Sequence, residues 1–192
     1  AGWRQSGLGD IRVSVNLSAL QLEQDNFVER FVANLNGTGL DPQSVKLEIT
    51  ENILMRDMDV VIPKLKELRR LGIRIAIDDF GTGYSSLSYL QQFPINTLKI
   101  DRSFVGDIRA EESDASIINA IVAMARGLKL DLIAEGVENR TQLKYLHSQG
   151  CSEVQGYIFS PPVPADQVRG LLLEDPYREL VADEQAEAET AV

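Results

Sequence analysis

The sequence is poor in the residues that hold soft metals. It contains one cysteine, Cys151, so no disulfide can form within the chain. A reducing compartment is the expectation. It contains one histidine, His147, which excludes zinc centres of the cysteine–histidine kind. Basic residues are outnumbered, 19 Lys and Arg against 29 Asp and Glu, for a net charge of −10. That excludes bulk attraction to DNA or to an anionic membrane surface. A nucleotide ligand stays compatible, because a cation can bridge acids to phosphate. No apolar run reaches the roughly 18 residues of a membrane span. The opening "AGWRQSGLGD" has no signal-peptide pattern, and without an initial methionine the chain reads as a piece of a longer protein.

What is present is a chain of 192 residues, 44% hydrophobic and 25% charged, enough for one domain with a sizeable core. Short apolar runs alternate with helical patterns. The runs are Arg12–Leu17, Val45–Thr50, Ile73–Asp78, Thr97–Asp101, Leu132–Gly136 and Glu153–Phe159. Helical stretches between them include Asn26–Leu35, Val60–Leu71, Ala115–Leu128 and Arg140–Ser148. Pro63 is expected in a first helical turn, where proline is tolerated. This alternation predicts a parallel α/β fold of six strand–helix units. An open doubly wound sheet fits six units; so does a (β/α) barrel that lacks two strands. Glu174–Val192 is acidic and alanine-rich, and is expected as a surface helix or frayed tail.

Side-chain alternation favours the barrel. Val13 and Val15 oppose Ser14 and Asn16; Leu47 and Ile49 oppose Glu48; Ile75 and Ile77 oppose Asp78; Leu98 and Ile100 oppose Lys99 and Asp101. A doubly wound strand is covered by helices on both faces and should be apolar on both. A barrel strand needs one apolar face, while the other points inward and carries the site at its C-terminal end. The competing reading is a two-layer sheet with one wet face. Such a face mixes Lys, Thr, Ser and Arg, whereas acids and carboxamides dominate here.

In a barrel, Asn16, Glu48, Asp78, Lys99, Asp101, Glu135 and Gln155 would converge on one mouth. Glu48, Asp78, Asp79, Asp101 and Glu135 together carry about five negative charges there, and Lys99 offsets one. One or two divalent metals with oxygen ligands, magnesium, manganese or calcium, would relieve the rest. The adjacent Asp78, as last strand residue, and Asp79, on the following loop, suit a metal pair, one as bridging ligand and the other as ligand of one ion. Two metals about 3.5–4 Å apart stabilise attacking and leaving oxygens in phosphoryl transfer. A lysine and a further carboxylate could position and deprotonate water, so phosphodiester hydrolysis is the natural chemistry. Blander roles compete. Asp101 could cap the helix starting at "RSFVGD". Asp79 could order the Gly81-Thr82-Gly83 loop. Glu51 and Glu138 could be solvated or loop-anchoring, Lys46 and Arg74 structural ion partners, His147 a surface residue, and Cys151 a buried small residue.

The stretches "VNLSA" (Val15–Ala19), "LEITE" (Leu47–Glu51), "IAIDDFGTGYSSL" (Ile75–Leu87), "LKID" (Leu98–Asp101), "AEGVE" (Ala134–Glu138) and "QGY" (Gln155–Tyr157) together resemble the bacterial EAL domain. All six occur in order, and the match runs from Arg12 to about Leu172. The resemblance implies a TIM-like barrel and a phosphodiesterase that cuts cyclic di-GMP to linear pGpG with magnesium or manganese, through a two-metal site. By motif, Asn16, Glu48, Asp78 and Asp79 resemble the metal ligands. Lys99 resembles the lysine that contacts water or phosphate, and Glu135 the general base or a partner of the metal-bound water. Gln155 and Asp101 resemble substrate-side residues, and Glu51 the anchor of the loop after Asp79. The resemblance further implies homodimers through Ser85–Phe93, fusion to upstream sensor or GGDEF domains, no DNA partner, and a cytoplasmic domain in a parent that could be membrane-anchored. The domain would occupy residues 1–173 and the acidic tail 174–192. The Glu-Ala-Leu motif itself belongs upstream of "VNLSA", outside this sequence, together with the strand before it. A barrel lacking its first two strands and one metal ligand is therefore expected. Pro161 stands where a basic residue is common in the family. The alternatives are a non-catalytic cyclic di-GMP receptor, or an interaction module with open sheet edges.

Overall fold

The computed structural model describes residues 11–83, 87–108, 116–151, 153–174, 177 and 180. Six strands lie in chain order in one sheet: β1 (Val13–Asn16), β2 (Val45–Thr50), β3 (Arg74–Phe80), β4 (Thr97–Ile100), β5 (Asp131–Ala134) and β6 (Glu153–Val154). Pairing is parallel for β1–β2, β2–β3 and β5–β6. The helices between them are α1 (Ala19–Glu23), α2 (Phe27–Thr38), α3 (Glu51–Leu54), α4 (Met58–Arg70), α5 (Leu87–Leu90), α6 (Arg102–Gly106), α7 (Ser116–Leu128), α8 (Arg140–Ser148) and α9 (Ala165–Glu174). This is the strand–helix repeat of the barrel expectation, with six units. None of the described helices is long and apolar enough to cross a membrane.

Contacts divide the chain into two compact units. One is Ala1–Lys99 with Ala125–Asp131; the other is Ile100–Met124 with Leu132–Val192. The first unit is built on β2 and β3. Leu47, Ile49, Ile75 and Ile77 are buried, as are Leu65 and Leu68 of α4, which packs on β3. Each such leucine or isoleucine contributes about 1.5–3 kcal/mol relative to exposure. The helical spacing of Val61, Leu65 and Leu68 turns one stripe of α4 to the sheet. Arg74 at the start of β3 pairs with Asp131, as expected of a structural ion partner.

The second unit centres on the chain segments after β4 and β5. Leu143 and Leu146 of α8, with Val105 and Val137, are buried there. Asn139 and Gln142 form a reciprocal capping box at the start of α8. Gln142 is itself buried, and its Nε2 donates to Val105 O at 3.2 Å. Cys151 is buried as anticipated, and burial pushes its thiol up to about 11.

Several expectations need correction. Val13 and Val15, read as a helix-covered face, are 43% and 42% exposed. Among the described residues β1 stands at the edge of the strand order, with a neighbour on one side only. β3 does not stop at Asp78 but runs on through Phe80, with Asp79 at φ +53°. A left-handed residue breaks the two-residue alternation, so parity no longer separates Asp78 from Asp79 and Phe80. β6 is two residues long rather than seven, because the chain turns at Gly156–Phe159. Pro63 falls inside α4 instead of its first turn, since that helix starts at Met58. Residues 84–86 lie outside the described residues, and with them the head of the segment Ser85–Phe93 expected to pair in a dimer. So does nearly all of the tail after Glu174.

Candidate active site

The nine residues singled out in the sequence divide between the units. Asn16, Glu48, Glu51, Asp78, Asp79 and Lys99 belong to the first; Asp101, Glu135 and Gln155 belong to the second.

In the first unit the strand register does the positioning. Asn16 lies abreast of Glu48, and Asp78 abreast of Thr50, two residues further along β2. Leu17 N donates to Glu48 O at 2.8 Å, which carries the β1–β2 ladder past Asn16. Lys99 reaches this level from β4. Its Nζ donates to Glu48 Oε2 at 2.6 Å and to Asp78 Oδ1 at 2.8 Å. The lysine side chain is 3% exposed, the glutamate 9% and the aspartate 15%. Two carboxylates thus share one buried cation. Asp79 adds a third carboxylate, with an oxygen within 4.8 Å of one on Asp78. Its left-handed backbone costs about 1–2 kcal/mol for a residue other than glycine. Its own N–H turns back to Asp78 Oδ1 at 3.2 Å. In the loop beyond, the Asp79 carbonyl accepts from Thr82 Oγ1 at 2.8 Å.

Glu51 starts α3 directly after β2 and is 3% exposed. Its Oε2 accepts from Gly81 N at 3.0 Å. A β-carbon at Gly83 would stand 2.7 Å from Glu51 Oε1, so glycine lets the loop lie against this carboxylate. The residues available for a cofactor in this unit are oxygen donors only: Asn16, Glu48, Asp78 and Asp79. Three acids and one lysine gather at this level. Carboxylate and carboxamide oxygens are the donors that metal ions of the hard divalent class prefer.

In the second unit Glu135 follows β5 directly and stays alongside β4, its N donating to Ile100 O at 3.1 Å. Its Oε1 accepts from Gln155 Nε2 at 2.7 Å. Two loops are stapled together to make that contact. Val137 N donates to Gln155 O at 3.1 Å, and Ile158 N to Val137 O at 2.9 Å. Gly156 lies so close to Val137 that a β-carbon there would come 2.1 Å from its carbonyl oxygen. Gly136, at φ +68°, leaves room for the side chain of Arg102 in the same way. Asp101 caps α6, its Oδ1 accepting from Ser103 N at 2.9 Å, so the capping role considered for it is realised. A cavity of about 410 Å³ opens beside these residues, lined by Arg102, Glu135, Glu138, Gln155, Tyr157 and Pro161 among others. Sequence reasoning gave no role to Arg102 and Tyr157. The signal for Tyr157, 67% exposed, was an aromatic directly after a glutamine–glycine pair.

Comparison with known proteins places this arrangement. The family model described as EAL domain matches residues 1–162. The cyclic di-GMP phosphodiesterase NbdA of Pseudomonas aeruginosa is 47% identical over 154 residues, 80% of this chain and 20% of NbdA. The solved structure of the MucR phosphodiesterase of the same organism in complex with c-di-GMP is 43% identical. It superposes with a TM-score of 0.82 over 86% of this chain and 67% of that one. Klebsiella pneumoniae BlrP1, solved with manganese and cyclic di-GMP, is 34% identical, with a TM-score of 0.75 over 83% of this chain and 41% of that one. The chain spans between 20% and 27% of the length of the curated relatives it matches.

Proposed function

The chain belongs to the EAL domain family, and from that premise we propose that it is the catalytic part of a metal-dependent phosphodiesterase that hydrolyses cyclic di-GMP to linear pGpG. The observation that carries the reading is the Lys99 clamp. Glu48 and Asp78, from neighbouring strands, share one buried ammonium, with Asp79 beside them. A stable core does not gather acids in this way without a cationic partner to offset their repulsion.

In this reading Asn16, Glu48, Asp78 and Asp79 hold one or two magnesium or manganese ions. When bound, these ions withdraw charge from the phosphodiester and lower the pKa of water. The chain's own residues do the rest. Lys99 fixes Glu48 and Asp78 in place and presents an N–H donor to phosphate or water at the same level. Glu135 takes the proton of the attacking water, and Gln155 holds its carboxylate through Oε1. Glu51 holds the loop after Asp79 through Gly81 N–H. The cavity beside Arg102 and Tyr157 gives a purine base an aromatic surface on which to stack, with Glu138 as acceptor for its N–H groups. Asp101, whose free capacity is reduced by capping α6, acts on the substrate side through its position between Lys99 and Arg102. Fusion to upstream sensor or GGDEF domains, a cytoplasmic location and pairing through Ser85–Phe93 complete the proposal. The share of the relatives' length that the chain covers fits such fusion.

The test is release of pGpG from cyclic di-GMP in the presence of magnesium or manganese, by a chain extended to include the upstream Glu-Ala-Leu strand. Absence of product from well-folded protein that still binds cyclic di-GMP would identify a receptor instead.

A further inference from the structure

The end of β3 opposite Asp78 carries the opposite charge. Two hollows of about 420 and 460 Å³ lie in the first unit, and both are lined by Arg69. The first also has Arg12, just before β1, and Arg74, at the start of β3. The second has Lys66 and Arg70 of α4. Against these five cations the two linings contain one acid, Asp41. Arg74 is engaged by Asp131. Among the described residues, no hydrogen bond or ion pair joins Arg12, Lys66, Arg69 or Arg70 to a side chain. In a chain with 29 acids and 19 bases, four cations gathered without an acid partner among the described residues are not what net charge would produce.

Fold stability does not account for the cluster. Arg69 and Arg70 sit in the last turn of α4, where cations complement the helix dipole. That leaves Lys66, a turn earlier, and Arg12, which comes from another part of the chain. Lys66, Arg69 and Arg70 stand at i, i+3 and i+4 on one helix face, and like charges at that spacing destabilise a helix. A counter-anion would relieve the repulsion.

We propose that these hollows form a binding site for a small polyphosphate anion, separate from the carboxylate end of the sheet. Arginine matches phosphate through paired N–H donors, and lysine adds a mobile point charge. Four cations spread over two hollows that share Arg69 suit a chain of two or three linked phosphates better than a single phosphate. Concave hollows favour a small ligand over a bilayer surface. Gln43, Asn96 and Gln91 supply neutral polar atoms at the walls. The free polyanion and the phosphate chain of a nucleotide share this chemistry.

The test is calorimetric titration of the chain with inorganic tripolyphosphate and, separately, with a nucleoside triphosphate. Divalent cations are kept out, so that the carboxylate end cannot capture phosphate. Saturable binding with one site is expected, weakening as salt rises from about 50 to about 300 mM. Arg69→Glu and Lys66→Glu should each weaken it at least about tenfold. Arg69→Gln, which removes charge without adding an acid, should do so by a smaller factor, with an unchanged circular dichroism spectrum as the control for folding. Arg169→Glu, an exposed cation on α9, makes the same charge change elsewhere and should leave binding intact. Tighter binding of the nucleotide than of tripolyphosphate identifies a nucleotide as the ligand; equal binding identifies the phosphate chain alone. No saturable binding, equal weakening by Arg169→Glu, or binding confined to phosphatidylserine vesicles would each overturn the proposal.

Discussion

Lys99 Nζ lies 2.6 Å from Glu48 Oε2, with the lysine 3% and the glutamate 9% exposed. Two buried charges, on β2 and on β4, therefore depend on one another across β3. Removing the lysine leaves Glu48 and Asp78 facing each other without a cation.

Lys99→Met should therefore destabilise the metal-free protein by about 3–5 kcal/mol, the usual cost of orphaning a buried charge. On the proposed function, added manganese should recover much of that loss, because an ion held by Glu48, Asp78 and Asp79 would replace the missing charge. Urea unfolding with manganese and with a chelator measures both effects. A loss below about 1 kcal/mol without metal would place the pair in the class of exposed salt bridges, with no mutual dependence.

Gly156 offers a steric test in the second unit. Its missing β-carbon allows the turn after β6 to lie on Val137, with only 2.1 Å to that carbonyl oxygen if a methyl were added. Gly156→Ala should cost about 1–3 kcal/mol by forcing the two loops apart, and should displace Gln155 from Glu135. Gly127, near the end of α7, has nothing within 4 Å of the same added carbon. Gly127→Ala should instead stabilise the helix by roughly 0.5–1 kcal/mol. Thermal melting of the two variants should move in opposite directions. A shift in the same direction would contradict the close approach of Gly156 to Val137.

The contact between Gln155 Nε2 and Glu135 Oε1 at 2.7 Å predicts coupled kinetics. On the proposed function, Glu135→Gln in the extended chain should lower turnover by about a hundredfold or more, as loss of a general base does. Gln155→Leu keeps the base but releases its carboxylate, and a loss of about tenfold is expected from misplacement. If the glutamine acts only through the glutamate, the double variant should be no slower than Glu135→Gln alone. Multiplicative losses in single-turnover measurements would show that Gln155 acts independently, on the substrate.

Much of this was legible in the sequence because strands and sites share one periodicity. Apolar alternation in "VKLEIT" and "IRIAIDD" marks β2 and β3, and the acids that interrupt it form the carboxylate cluster. Alternation fails where backbone geometry departs from the extended form. Nothing in the residue types announces that Asp79 is left-handed, so alternation alone ends β3 two residues early. "EVQGYIF" alternates like a strand, yet Gly156 ends it by docking on a backbone far away in sequence. The exposure of Val13 and Val15 depends on which neighbours β1 has, and no local pattern contains that. The cation cluster was invisible for the same reason: Arg12 and Arg69 line one hollow only through the fold.

Cys151 gives a prediction that depends on pH. Its thiol is buried beside the start of β6, with Sγ donating to Glu153 O at 3.4 Å. Burial raises its pKa from 9.0 to about 11. A thiol is charged only when deprotonated, so the unfolded chain gives up this proton first as pH rises. Below about pH 9 both states keep it, and the cysteine adds no pH dependence. Between about 9 and 11 the folded state binds the extra proton, and stability falls with rising pH by about 2–3 kcal/mol in all. Above that range both states are ionised and the contribution levels off. Lysines and tyrosines titrate in the same interval, so the comparison must be with Cys151→Ala, which shares them. Urea midpoints taken from pH 8 to pH 11 should fall more steeply for the parent than for the variant. Parallel curves would mean that the thiol ionises as freely in the folded protein as in the unfolded chain.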